Sequence, residues 1–112
     1  MRRTVCSMVM FGLMAAGASA QTAIPVELGK KVYAAEKCSA CHSIAGAGNK
    51  KGPLDDVGSR LSAAQIRDWI VSAPEMTAKT KAARKPVMKA YPKIVKDDLE
   101  ALVAYVHSLK KS

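Results

Sequence analysis

Cys38-Ser39-Ala40-Cys41-His42 is the stretch on which the reading of this chain turns. Two thiols separated by two residues sit about one turn apart, and an imidazole follows the second directly. A zinc site needs about four ligands, and beyond these three the remaining His or Cys after residue 20 is His107, far along the chain. A thioredoxin-like dithiol needs a strand leading into the pair within a βαβ pattern, and no such pattern is legible. A plain disulfide leaves His42 without a role. Covalent haem attachment uses all three groups: each thiol adds to one porphyrin vinyl group, and the histidine lies beneath the ring to ligate iron.

The rest of the chain bounds what such a site can be built on. At 112 residues one domain is expected, and 49% apolar residues exclude a disordered or low-complexity chain. Met1, Arg2 and Arg3 give a positive start, Met8 to Gly17 an apolar stretch, and Ala18-Ser19-Ala20 the small residues that a signal peptidase reads. Residues 1–20 are therefore expected to be a cleaved secretory signal peptide, cut before Gln21. The apolar stretch is too short to span a bilayer, so no stable membrane insertion is expected after cleavage. Cys6 precedes that stretch, a poor fit to a lipoprotein acylation site, and should leave with the peptide. The expected location is outside the cytoplasm, periplasmic if the source is a Gram-negative bacterium. Residues 21–112 then form the mature domain of 92 residues, with 16 basic and 9 acidic side chains and a net charge of +7.

Along this domain the apolar pattern is helical throughout. Leu28, Val32 and Ala35 share one face, which predicts a helix over 26–37. Residues 43–60 contain Gly46, Gly48, Gly52, Pro53 and Gly58 and read as a long loop. Ser62-Ala63-Ala64-Gln65 matches a capping box and predicts a helix over 63–72, stopped by Pro74. Residues 74–95, with Pro74, Pro86 and Pro92, read as mostly loop with a helical turn or two around 77–84. Leu99, Leu102, Val103, Val106 and Leu109 predict a last helix over 97–110, packed on the first, with Asp97, Asp98 and Glu100 where its dipole favours acids. No segment alternates with period two, and the class is all-α.

Taken together, these residues resemble a class I c-type cytochrome, a small monohaem electron carrier, over nearly the whole mature chain. Gly29 and Tyr33 resemble the small residue and aromatic of that family's first helix, and Leu102 with Tyr105 resemble their partners on the last. The resemblance implies a cytochrome c fold of three main helices plus short helical turns wrapped around one covalently bound haem c, with the terminal helices packed across each other. Gly52-Pro53-Leu54 resembles the family's Gly-Pro-x-Leu loop, which implies that the Pro53 carbonyl accepts from the second ring nitrogen of His42 and fixes its tautomer. Lys85-Pro86-Val87-Met88 resembles the family's axial proline-x-methionine loop. After processing only Met76 and Met88 can offer a thioether, so Met88 is read as the second axial ligand, with Met76 as the fallback. His107, at the edge of the last helix's apolar stripe, is a weaker candidate. By the same resemblance Trp69 and Arg60 are candidates to contact the haem propionates. Leu54, Ile66, Ile70, Leu99 and Leu102 are expected to line the haem crevice or the core.

Charge placement and ligation bear on function. Residues 79–93 hold Lys79, Lys81, Arg84, Lys85, Lys89 and Lys93 and no acid, bracketing Met88. The expected partners are redox proteins with acidic docking surfaces, met by a monomer or weakly associating protein. Nucleic acid is not an expected partner of an exported protein of this type. The expected function is an electron shuttle between redox proteins, with a haem subunit fixed to an exported dehydrogenase or oxidase as the alternative. An open-site haem enzyme or gas sensor fits less well, because Met88 supplies a sixth ligand and no distal acid–base residue is evident; no catalytic residue is assigned.

Overall fold

The computed structural model describes Gly12 and residues 23–111, so the expected signal peptide over 1–20 lies, apart from that glycine, outside the described residues. The elements run in chain order: α1 (Ala23–Ala35), a 3-10 turn (Cys38–Ala40), strands β1 (Ser43–Ile44) and β2 (Ala47–Gly48), then α2 (Val57–Arg60), α3 (Ala63–Val71), α4 (Ala73–Thr80) and α5 (Lys96–His107). The all-α expectation holds, with the two short strands forming one antiparallel hairpin that pairs Ser43 with Gly48 and Ile44 with Ala47.

Several boundaries differ from the sequence reading for identifiable reasons. Helix α1 begins three residues earlier than expected, because Pro25 falls in its first turn, where a missing N–H leaves no bond unmade. It ends two residues earlier, and Lys37 adopts a left-handed conformation (φ 56°) that swings the chain into Cys38. The segment 43–60 is not one long loop but a hairpin followed by a four-residue helix. The largest correction concerns Pro74. It does end α3, yet it also occupies the first turn of a new helix, α4, with Glu75 in that first turn and Lys79 in the last. The capping box at α3 is present as read: the Ser62 hydroxyl accepts from the Gln65 N–H at 3.2 Å, and the Gln65 side chain accepts from the Ser62 N–H at 2.9 Å.

The most extensive helix pairing is α1 on α5. Gly29 lies against the Ala101 carbonyl and the Tyr105 Cβ, with no room for a side chain of its own. One turn on, the Tyr33 and Tyr105 rings meet edge to face at 5.9 Å and 84°. The core on this crossing comprises Val32, Val57, Ile66, Ile70, Leu102, Val103 and Val106, drawn from α1, α2, α3 and α5. Arg67 reaches from α3 to Glu100 on α5 with three hydrogen bonds of 2.6 to 3.2 Å, a partly exposed pair worth at most about 1 kcal/mol. The tail beyond α5 returns to α2: the Gly58 N–H donates to the Leu109 carbonyl at 2.7 Å and the Lys111 N–H to the Ser59 hydroxyl at 2.8 Å. Among the described residues no helix is long and apolar enough to cross a membrane.

A Gly-to-Ala change in a helix interior ordinarily stabilises, by roughly 0.5–1 kcal/mol. At Gly29 the sign should reverse. Gly29→Ala forces the α1–α5 crossing apart, and we expect a loss of about 2 kcal/mol and a thermal midpoint lower by on the order of 10 °C. A midpoint unchanged or raised in a melting experiment would contradict the close crossing.

Candidate haem site

A tight turn presents the three residues of the motif. The Cys41 and His42 N–H groups both donate to the Cys38 carbonyl, at 3.1 and 3.0 Å, so the thiols and the imidazole emerge within a single turn and all line one cavity of about 430 Å³. Cys38 is half-buried and Cys41 exposed, and no disulfide joins them. Burial, with the Glu36 charge adding to it, pushes the Cys38 thiol up to about 11. A thiol held protonated in this way is the opposite of the low-pKa thiolate of a dithiol redox centre. Among the described residues no three His, Cys, Asp or Glu side chains cluster as a metal site would require.

His42 Nδ1 lies 3.0 Å from the Gly52 carbonyl. A carbonyl only accepts, so Nδ1 carries the proton and Nε2 is left with a free lone pair. The carbonyl is that of Gly52, not of Pro53 as the family resemblance implied. The reason lies in the local pairing: Pro53 has no N–H to donate, and the chain runs parallel to Ser43, with the Ser43 N–H on the Gly52 carbonyl (3.1 Å) and the Leu54 N–H on the Ser43 carbonyl (2.9 Å). That register turns the Gly52 carbonyl to the imidazole, while Pro53 itself is exposed. Burial holds the imidazole below its usual pKa; the Gly52 carbonyl opposes this and the Arg84 charge reinforces it. The neutral form is the one able to ligate a metal.

Asn49 carries much of this local order, and the sequence reading did not single it out. Its N–H donates to the Ser39 and His42 carbonyls (3.1 and 3.0 Å), its Nδ2 donates to the Ala40 carbonyl (3.2 Å), and its own carbonyl accepts from the Gly52 N–H (3.1 Å). One residue thus ties the cysteine turn to the loop that orients His42. An asparagine among glycines and lysines was the available signal, since such a residue often bonds to backbone in turns.

The remaining candidates separate. Met88, half-buried, lines the cavity, as do Trp69 and Arg60; Met76 and His107 do not. Arg60 also pairs with Asp56, Nε to Oδ1 at 3.1 Å, an exposed contact one turn back on α2. Leu54, Ile66, Ile70 and Leu102 line the cavity, whereas Leu99 packs against the core away from it. Four further residues contribute. Tyr33 lines the cavity with its phenolic oxygen buried and unpartnered among the described residues, and burial raises that phenol to about 12. Thr77 and Thr80 enter from α4, where the sequence predicts only a helical turn or two around 77–84. Arg84 enters from the segment after it, and its Nη2 donates to the Cys41 carbonyl at 2.5 Å.

A covalently bound haem fits this arrangement. The cavity is walled mainly by apolar side chains, carries both cysteines on one turn beside an imidazole with a free nitrogen, and is lined by Met88 from a separate loop. Comparison with known proteins agrees with that chemistry. One relative is subunit 2 of cytochrome c oxidase from Alkalihalophilus pseudofirmus, 31% identical over 107 residues, covering 84% of this chain. The chain spans only 30% of that relative's length. No solved structure matches at a significant level. The family model for cytochrome c matches residues 26–110, from the first helix to the end of the last, and the chain therefore belongs to the cytochrome c family, with covalently attached haem c.

Proposed function

We propose that this cytochrome is an exported monohaem carrier that shuttles single electrons between redox proteins, with Cys38 and Cys41 forming the thioethers, and His42 and Met88 the axial ligands. One observation carries the ligand assignment: the cavity lined by His42, whose Nδ1 is taken up by Gly52, is also lined by Met88, and not by Met76 or His107. Haem, when bound, supplies a one-electron iron couple. The chain's own residues do the rest. Gly52 holds the imidazole tautomer through its carbonyl, which also strengthens the ring as a donor. Ile66, Ile70, Leu102 and Val106 exclude water from the crevice. Arg60 and Trp69, both at the cavity, are proposed donors to the haem propionates.

The second reading, a haem subunit held in a larger assembly, is favoured by the likeness to an oxidase subunit. The two differ in whether the purified protein arrives alone or with a dehydrogenase or oxidase, which co-purification from the native host decides. An open-site enzyme is the weakest reading, because Met88 lines the cavity at which a sixth ligand is needed.

Replacing Met88 by Leu should abolish the weak far-red absorption that iron–thioether ligation gives, and lower the reduction potential, while Met76→Leu leaves both in place. Loss of the band in the Met76 variant instead would reverse the assignment. The partner is proposed to be acidic. Lys79, Lys81, Lys85, Lys89 and Lys93 are all exposed along the segment that contains Met88. Electron-transfer rates with an acidic redox protein should therefore fall about tenfold or more as ionic strength rises from low to high. A flat response in stopped-flow kinetics would remove the steering.

A further inference from the structure

The segment that bears Met88 is held in an unusual way. Its last backbone anchor before the methionine is the Ala82 N–H on the Thr77 carbonyl (3.1 Å), and the next is the Tyr91 N–H on the Ile70 carbonyl (2.8 Å). Between these, among the described residues, no backbone-to-backbone hydrogen bond is made, and residues 81–87 are all exposed. A loop so placed opens readily unless side chains fix it. Arg84 does so: its guanidinium crosses from this loop to the cysteine turn, with Nη2 on the Cys41 carbonyl. Gly52 makes the crossing possible. It is buried, and a Cβ there would run into the Arg84 guanidinium and the Cys41 carbonyl, so the absence of a side chain leaves the space that the guanidinium occupies. A charged planar donor on a carbonyl is among the stronger single hydrogen bonds, and the three-way contact joins the loop of one proposed axial ligand to both segments that orient the other.

We infer that Arg84 is a positioning residue, a latch that clamps the Met88 loop onto the turn carrying Cys41 and His42 and places a fixed positive charge beside the haem. This rests on Met88 as the axial ligand. It also separates Arg84 from the lysines around it: those are exposed cations available to a partner, whereas Arg84 is bonded within the chain and acts whether or not a partner is present.

The test needs no partner protein. In the ferric holoprotein, the rate at which added imidazole displaces the thioether is followed through the far-red band, alongside the reduction potential. Arg84→Gln should speed displacement about tenfold, equivalent to about 1.4 kcal/mol, and lower the potential. Lys85→Gln, which removes a neighbouring exposed charge, should leave the rate within about twofold and the potential less changed. Arg84→Lys keeps the charge without the planar fork, and should speed displacement with little effect on the potential; it also serves if the glutamine variant fails to fold. A wild-type protein without the band overturns Met88 ligation, and the latch with it. A wild-type protein with the band, in which Arg84→Gln exchanges at the wild-type rate or Lys85→Gln matches its effect, overturns the latch alone.

Discussion

An apolar space that the chain has no side chain to fill governs the rest of this structure. Tyr33 from α1, Ile66, Trp69 and Ile70 from α3, and Leu102 and Val106 from α5 all face a cavity of about 430 Å³. Open to water, a crevice of that size leaves its apolar walls hydrated, and the stabilisation their burial would bring, about 25 cal/mol per Å² of apolar surface, is forgone. Among the described residues the core itself is modest, made of Val, Ile, Leu and Ala side chains without a large aromatic at its centre. A covalently attached porphyrin, on the proposed linkage through Cys38 and Cys41, would supply both the missing volume and a staple of the kind that small domains need.

The polar part of the site follows from the same constraint. A histidine on the wall of an apolar cavity loses hydration, which favours its neutral form, and the Gly52 carbonyl then dictates which nitrogen faces inward. That carbonyl is itself fixed by Asn49, whose backbone and side chain bond to the cysteine turn and to Gly52. His42, the proposed ligand on this side, is thus held by backbone geometry. The Met88 side has no comparable ladder, which is why one arginine reaching across to Cys41 has so much to hold. The unequal support implies that the methionine loop is the part of the site that yields first.

Much of this was legible in the sequence, and the reasons differ by element. The heptapeptide Ser62–Asp68 with its capping box, and the 99/102/103/106/109 stripe, encode helices through local chemistry and periodicity, so α3 lies within one residue of its expected span, while α5 starts one residue early and ends at His107, three residues short of the expected 110. Gly29 opposite Tyr105 was legible through family resemblance, and a Cβ clash shows the physical need behind it. Pro74 misled because a proline can end one helix and open the next, and position in the sequence does not say which. The identity of the carbonyl on His42 depends on the register of Ser43 against Pro53, a pairing that no local pattern announces. Arg84 looked like one cation in a basic run; only the fold brings it to Cys41, 43 positions away.

The open crevice and the modest core together imply that this chain completes its fold only around its covalently held haem. That dependence is tested most directly by far-UV circular dichroism through a thermal ramp, comparing the holoprotein with a Cys38→Ser, Cys41→Ser variant purified free of haem. The holoprotein should melt cooperatively, and the haem-free variant should show far weaker helical signal and no cooperative transition. A haem-free chain with native helical content and a sharp melt would contradict it.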